Sequence, residues 1–324
     1  MLDGLQANMP PIWHPGERAL QQSLGIAERM EEVGRQVIRP FMPDQHRTFY
    51  AQLPFIVAGS VDSGGDAWAT LLAGRPGFIT SQSPTALDLQ VRPDATDPAS
   101  LGLREGDAIG LLGIELHTRR RNRANGTLRV PEPGRLHFEL DQSFGNCPKY
   151  IQLRDYRFVR DPAEAFTGEV FESAELDAAA RAMIAAADTF FVASYVDGAD
   201  HRQVDVSHRG GRPGFVRIDD DGTLTIPDFS GNMFFSTLGN ILVNGRAGLL
   251  FADFETGDLL QLSGEAEVIL DSPEIDELAG AERLWKFRAH RVVRRPGALP
   301  LRWTFREDGW SPFALRTGEW PRHR

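Results

Sequence analysis

Gly211-Arg212-Pro213-Gly214-Phe215 repeats, residue for residue, the stretch Gly74-Arg75-Pro76-Gly77-Phe78 that lies 137 positions before it. The repetition extends on both sides. Phe55-Ile56-Val57-Ala58-Gly59-Ser60-Val61-Asp62 is answered by Phe190-Phe191-Val192-Ala193-Ser194-Tyr195-Val196-Asp197, with the Val-Asp pairs 135 apart. Gly110-Leu111-Leu112 is answered by Gly248-Leu249-Leu250, 138 apart. Ordered matches at a nearly constant offset predict a tandem duplication of one module.

Each module reads as β-rich. The run 190–196 is apolar, aromatic and β-branched and ends in Asp197-Gly198; 214–218 alternates before Asp221-Gly222, and Thr223-Leu224-Thr225-Ile226 follows with period two, which predicts a hairpin. Apolar residues at Phe234, Phe235, Leu238, Ile241 and Leu242 suit one short helix over 232–243. Strand patterns at 248–254 and 258–269 form a second pair. Antiparallel strands around one helix suggest a small closed barrel, which leaves no long edge exposed. Helical patterns are predicted at 16–36, 173–187 and 272–286. The expected organisation is a helical extension over 1–46, a first barrel over 47–160, a linker and helix over 161–187 and a second barrel over 188–324.

Composition excludes several classes. The chain has 324 residues, 41% of them hydrophobic, as in a soluble globular protein. It contains no apolar run of 18 residues and its first residues lack the pattern of a secretory signal, so cytoplasmic placement without membrane partners is expected. The single cysteine, Cys147, excludes an internal disulfide framework and multi-cysteine metal sites. A net charge of −10 argues against broad nucleic-acid binding. The basic run His117-Thr118-Arg119-Arg120-Arg121-Asn122-Arg123, followed by Asn125-Gly126, reads as an exposed hairpin arm or as an anion or partner site. The eight histidines show no metal-ligand spacing, and no Gly-x-Ser-x-Gly elbow supports a hydrolase.

The segment Arg212 to Arg217, the Asp-Gly hairpin, Ile226-Pro227-Asp228, the helix with Leu238-Gly239-Asn240-Ile241, and Gly248-Leu249-Leu250-Phe251 resemble, in order, the flavin-binding split barrel of the pyridoxamine 5′-phosphate oxidase superfamily. Over nearly its full length the chain is similar to the two-module, FMN-binding proteins related to that oxidase. The similarity runs from His14-Pro15-Gly16-Glu17 through Met42-Pro43-Asp44-Gln45-His46 and Phe144-Gly145-Asn146-Cys147-Pro148-Lys149-Tyr150-Ile151 to Leu299-Pro300-Leu301-Arg302-Trp303. The resemblance implies two tandem six-stranded-type split β-barrels, mainly β with helices (α+β), packed as an intrachain pseudo-dimer. It also implies FMN at their interface. The chain itself would be a monomeric pseudo-dimer or a homodimer.

The copies diverge after the shared pentapeptide. The second continues into Asp228-Phe229-Ser230-Gly231-Asn232, which the first lacks, so one working site on the second module is expected. Residues assigned to it are Arg212, Pro213, Gly214, Phe215, Val216 and Arg217, where a glycine beside proline lets a flat ring approach the backbone. Pro227 and Asp228 follow, then Ser230, Gly231 and Asn232, which offer amides and a helix N-terminus to a phosphate. The simpler oxidases carry Ser-Arg-Lys where this chain has Ser-Gly-Asn. Lys149, with Asn146 and Tyr150 of the first module, or Arg302 and Trp303 near the C-terminus, are the expected replacements. His208-Arg209 is placed at the pocket mouth. Cys147 reads as a small buried hydrophobe, a thiol activated by Lys149, or a packing contact for the flavin.

Two functions follow from the resemblance. The first is a flavin-dependent oxidoreductase that takes electrons from a small-molecule substrate or a nicotinamide, with oxygen or a separate reductase or ferredoxin-type protein as partner. The second is a carrier of flavin, haem, deazaflavin or another flat cofactor without turnover. No catalytic side chain is assigned.

Overall fold

The computed structural model describes residues 12–198 and 201–321. Of the expected N-terminal extension, 1–11 lie outside the described residues. The rest is mainly β with five α-helices, an α+β arrangement of split-barrel type. No helix among the described residues is long and apolar enough to cross a membrane.

Two antiparallel sheets carry the fold. The first contains β1 (Phe55–Val61), β2 (Ala67–Ala73), β3 (Ile79–Thr80), β4 (Ala86–Gln90), β5 (Ala108–Glu115), β6 (Arg120–Glu132) and β7 (Arg135–Gly145), in the order β2-β1-β5-β6-β7-β4-β3. After β8 (Arg154–Phe158) and β9 (Phe171–Ser173) comes the second sheet, with β10 (Thr189–Asp197), β11 (Arg202–Gly210), β12 (Arg217–Ile218) and β13 (Leu224–Phe229). It continues with β14 (Arg246–Ala252), β15 (Leu259–Ile269) and β16 (Ala281–Arg295). Its order, β11-β10-β14-β15-β16-β13-β12, reproduces that of the first sheet strand for strand. β9, from the expected linker, pairs with β16, and β17 (Leu301–Phe305) pairs with β8. The helices are α1 (Pro15–Ser23), α2 (Ala27–Val37), α3 (Asp44–Ala51), α4 (Ala178–Ala186) and α5 (Ser236–Asn244).

The shared pentapeptide is a turn that throws a phenylalanine into the core. In each copy Phe donates its N–H to the Arg carbonyl, at 2.9 Å for Phe78 to Arg75 and 2.9 Å for Phe215 to Arg212. Proline thus takes the second position and glycine the third, with φ of 96° at Gly77 and 83° at Gly214, a conformation that glycine adopts without penalty. The leading glycine lies under the ring: a Cβ on Gly74 would sit 2.2 Å from the Phe78 ring, and one on Gly211 2.5 Å from that of Phe215. Phe78 and Phe215 each join the apolar core of their own sheet.

Where the sheets meet, glycines again decide the packing. A Cβ on Gly110 of β5 would lie 2.9 Å from the Val204 carbonyl oxygen on β11; one on Gly248 of β14 would lie 2.1 Å from that of Ala67 on β2. The contacts are reciprocal, each fifth strand of a sheet lying on the second strand of the other. Gly59 sits between them against Val206 and Ala193. Strand pairing aligns Gly59 with Gly110 and Ala193 with Gly248, an offset of 134 in β1 and β10 where the sequence comparison read 135. Between backbones so close an added methyl overpacks the interface. Gly248→Ala is expected to lower stability by about 3 kcal/mol, and Gly110→Ala by less, measured by denaturant unfolding.

Four expectations need correction. The 272–286 region is a short 3-10 turn, Pro273–Ile275, followed by the start of β16, because Gly280 at φ 89° stops any helix and Leu284, Trp285 and Phe287 are wanted in the sheet core. Asn125-Gly126 is not a hairpin turn: it is a bulge inside β6, where a Cβ on Gly126 would lie 2.0 Å from the Glu139 carbonyl oxygen. The turn comes later, at Pro133-Gly134. The predicted 16–36 helix is broken in two at Gly25, whose φ is 68°. The stretch 214–218 contributes only the two residues of β12.

Candidate functional site

A cleft opens where β6 and the segment after β7 meet β11, β13 and the start of α5. Its lining includes Arg121, Arg123, Asn146, Cys147, Lys149 and Tyr150 from the first half of the chain. Facing them are Ser207 to Gly210, Phe215, Pro227 to Met233, Phe235 to Leu238 and Arg283 from the second. β6 runs with period two, so Arg121 and Arg123 share one face and both turn inward.

Arg123 is buried and donates to the Asp205 carboxylate at 2.7 Å and to the Ser207 hydroxyl at 2.6 Å, while Thr237 of α5 donates to the same hydroxyl at 2.8 Å. α5 begins at Phe235 in the left-handed region, φ 62°, with no side chain capping it. Its first N–H groups therefore face the cleft without a fixed acceptor. On the opposite side Arg209 and Arg283 converge on the Asp228 carboxylate, at 2.7 and 3.0 Å. Tyr150 stacks on Phe229 with ring centroids 5.4 Å apart, and Lys149 lies over the Phe313 ring.

Among the described residues, two of the cleft's cations have no carboxylate partner. Besides the Phe313 ring, Lys149 meets the Ser230 carbonyl and hydroxyl, at 3.5 and 3.4 Å. Arg121 reaches only His208, its Nη1 lying 3.4 Å from Nδ1 and 3.4 Å from the carbonyl oxygen, and its Nε has no partner. Burial, assisted by the charge of Arg123, pushes the Arg121 guanidinium down to about 9. Burial and then Arg121, Arg209 and Arg154 hold the His208 imidazole well below its ordinary range, so it is neutral. Because Arg121 can only donate, Nδ1 accepts and Nε2 carries the proton. That N–H and the Asn146 side-chain amide nitrogen are also left without partners. Such a set is what an anionic, hydrogen-bonding ligand would satisfy.

Of the residues assigned from sequence, Phe215, Pro227, Asp228, Ser230, Gly231, Asn232, Asn146, Lys149 and Tyr150 line the cleft. Asn232 and Asn146 bridge its two sides at 3.2 Å. The others lie elsewhere. Pro213 and Gly214 form the exposed tip of the turn, Arg212 pairs with Glu319, and Val216 is in the core. Arg217 is held by Asp219 and Glu274 under the Trp320 ring. Arg302 donates to the Leu299 and Leu301 carbonyls, and Trp303 is buried between Phe55 and Phe254. Sequence reasoning named Arg121 and Arg123 only within a basic run read as an exposed arm or an anion or partner site, and missed Ser207, Thr237 and Arg283 as lining residues; the alternation of Arg121 and Arg123 on β6 was the available signal.

Residues 176–299 match the family model for pyridoxamine 5′-phosphate oxidase, and this span holds β11, β13, α5 and most of the cleft wall. This stretch is similar to the pyridoxamine 5′-phosphate oxidase family. Solved structures similar to the chain include a candidate pyridoxamine 5′-phosphate oxidase from Lactobacillus delbrueckii, at 11% identity over 33% of this chain and 95% of that one, TM-score 0.27. Another is HupZ from Group A Streptococcus, at 16% identity over 40% and 93%, TM-score 0.26. A third is MrkH from K. pneumonia in complex with c-di-GMP, at 12% identity over 80% and 87%, TM-score 0.22. No curated protein matches the sequence.

Proposed function

We propose that the cleft binds FMN and that the protein is a flavin-dependent oxidoreductase with one working site, built on a duplicated split barrel that forms a pseudo-dimer within the chain. One comparison inside the molecule carries the reading. In the second sheet α5 joins the fourth strand to the fifth with its N-terminus uncapped; in the first sheet that connection holds the 3-10 helix Pro98–Gly102, capped by Asp97. The Asp97 carboxylate accepts from Ala99 N at 2.9 Å, Gln261 at 2.8 Å, Arg295 at 2.8 Å and the Thr70 hydroxyl. Gln261 occupies on β15 the place of Arg123 on β6, each two residues from the partner of its Gly-Leu-Leu glycine. One half therefore supplies its own anion, and the other offers the same kind of seat to a ligand.

The charges agree with a phosphate. Arg121, Arg123, Lys149, Arg209 and Arg283 line the cleft, and Asp205, Asp228 and Glu282 pair with three of them. A phosphate monoester of charge near about −2 matches the remainder. The seat would be the first turn of α5 with Arg121, Arg123, Ser207 and Thr237, and the ring would lie toward β11 and the Tyr150–Phe229 pair, with Lys149 and Asn146 closing the side from the first module. Bound FMN supplies two-electron chemistry, accepting a hydride from a reduced donor. The residues do the rest: the cations fix the phosphate, the aromatic wall excludes water, and the His208 Nε2–H holds a proton toward an acceptor atom of the ligand. A nicotinamide or a small reduced substrate is the proposed donor, with oxygen or a separate reductase or ferredoxin-type protein as the other partner, in the cytoplasm.

Freshly purified protein is expected to show flavin absorbance that bleaches with NAD(P)H, and titration should favour FMN over riboflavin by about 100-fold, since the phosphate contributes charge-assisted bonds. Equal affinity for the two would remove the phosphate seat from the reading. A haem-type spectrum would replace the cofactor, and flavin that no reductant bleaches would leave a binding role alone.

A further inference from the structure

The N-terminal helices lie against the phosphate end of the cleft. α1 crosses α5 backbone to backbone at two glycines: a Cβ on Gly16 would meet the Gly239 carbonyl oxygen at 2.1 Å, and one on Gly239 the Glu17 nitrogen at 2.6 Å. This crossing carries Glu17, buried, to the first turn of α5. Its carboxyl accepts the His14 backbone N–H at 3.1 Å and hydrogen-bonds Ser236. Glu17, His14 and Asn240 share a small interior cavity with Asp205, the carboxylate that holds Arg123. Gln21, one turn on, donates to the Met233 carbonyl at 3.4 Å, and Trp13 packs on Phe234 with ring centroids 5.0 Å apart.

The titratable and charged groups facing Glu17 are His14 from its own helix cap, Asp205 from β11 and Arg123 from β6, while α5 presents the neutral Ser236 and Asn240. We propose that Glu17 is a positioning residue for the cleft: uncharged, it holds the first turn of α5 and leaves Arg123 to Asp205 and Ser207, and on gaining a charge it competes for Arg123 and weakens anion binding at that end. Burial is the main reason the carboxyl is pushed up to about 8, and the neighbouring Asp205 adds to it against the hydrogen bonds from His14 and Ser236. Burial holds His14 at about 4, so it is neutral throughout this range. A residue placed in the N-terminal helices thereby sets the grip of a site that none of those helices lines.

The ligand arm of the test rests on the FMN reading; a second arm needs no ligand. FMN affinity of the wild-type protein, followed by flavin fluorescence, should fall about tenfold more than that of Glu17→Gln between about pH 6 and about pH 9. Equal falls in the two proteins would overturn the inference, whereas absence of FMN binding by wild type at the lower pH would overturn the cofactor assignment. In ligand-free protein, amide hydrogen exchange over 233–238 should be faster in wild type than in Glu17→Gln at the higher pH and equal at the lower. Indistinguishable exchange at both would equally sink the inference. The neutral, isosteric glutamine can accept the His14 N–H through its carbonyl oxygen and donate to the Ser236 hydroxyl through its amide, so the comparison is made between two folded proteins.

Discussion

On the proposed FMN reading, Arg121→Met is expected to lower FMN affinity by about 10- to 100-fold without lowering the melting temperature of the ligand-free protein. Hydrogen bonds to charged groups contribute about 1.5–3 kcal/mol each, which sets the affinity range. The stability half follows from what Arg121 lacks. Its guanidinium is buried beside Arg123, reaches only His208 and has no carboxylate partner. A buried charge without a counter-charge costs free energy in the apo state, and an apolar side chain of similar length removes that cost. Isothermal titration with FMN and a thermal scan of the same two samples decide the matter. A drop in melting temperature together with the drop in affinity would make Arg121 a structural residue. Unchanged affinity would take it out of the binding seat.

Glu17→Gln is expected to raise stability at pH 7 by roughly 3 kcal/mol, and to change the shape of the pH profile. Glu17 titrates at about 8 in the folded protein against 4.5 in the unfolded chain. Between those values the folded state holds a proton that the unfolded state has released, so stability falls as pH rises through the window. His14 works in the other direction. Its folded value is about 4 against 6.5 unfolded, so stability falls as pH drops from 6.5 toward 4. From 4.5 to 6.5 the two states bind equal numbers of protons at this pair and the slopes cancel. The wild-type contribution is level there and declines by about 2 kcal/mol from 6.5 to 8. In Glu17→Gln only the His14 slope remains, so stability rises to 6.5 and then stays level. Urea unfolding across that range measures both curves. Parallel curves would mean that Glu17 is charged in the folded protein.

Several features are legible in the order of residues. The triple recurrence of Phe-rich strand, Gly-Arg-Pro-Gly-Phe and Gly-Leu-Leu is local information, since a strand, a proline-glycine turn and a close-packed glycine each depend on the residue itself. Ser230-Gly231-Asn232 lines the cleft, but the helix expected to start at Asn232 begins only at Ser236, because Phe235 in the left-handed region is its N-cap. The long β16 was hidden by helix-forming residues in 272–286, whose fate depends on sheet neighbours far away in sequence. Asn125-Gly126 misled for the same reason: the dipeptide turns a chain when it is free, but β5 and β7 on either side hold it inside a strand as a bulge.

The sequence by itself determined that two β-rich units follow one another, that each contains a glycine-proline turn carrying a core phenylalanine, and that the second half differs after that turn. Tertiary structure alone decided which side chains meet. Arg212 and Arg217 were the nearest cations to the expected ring position, yet their turn points to Glu319, Asp219 and Glu274. Arg121 and Arg123 come from the other sheet, more than 80 positions from Asp205 and His208, and reach the cleft only because Gly110 lets β5 lie on β11. Charge, burial and the presence of a counter-ion belong to such non-local contacts. The repeated pentapeptide is therefore the same turn in both halves, and the difference between the halves lies across the interface, where one side is filled by Asp97 and the other is a cleft lined by Arg121, Arg123 and the start of α5.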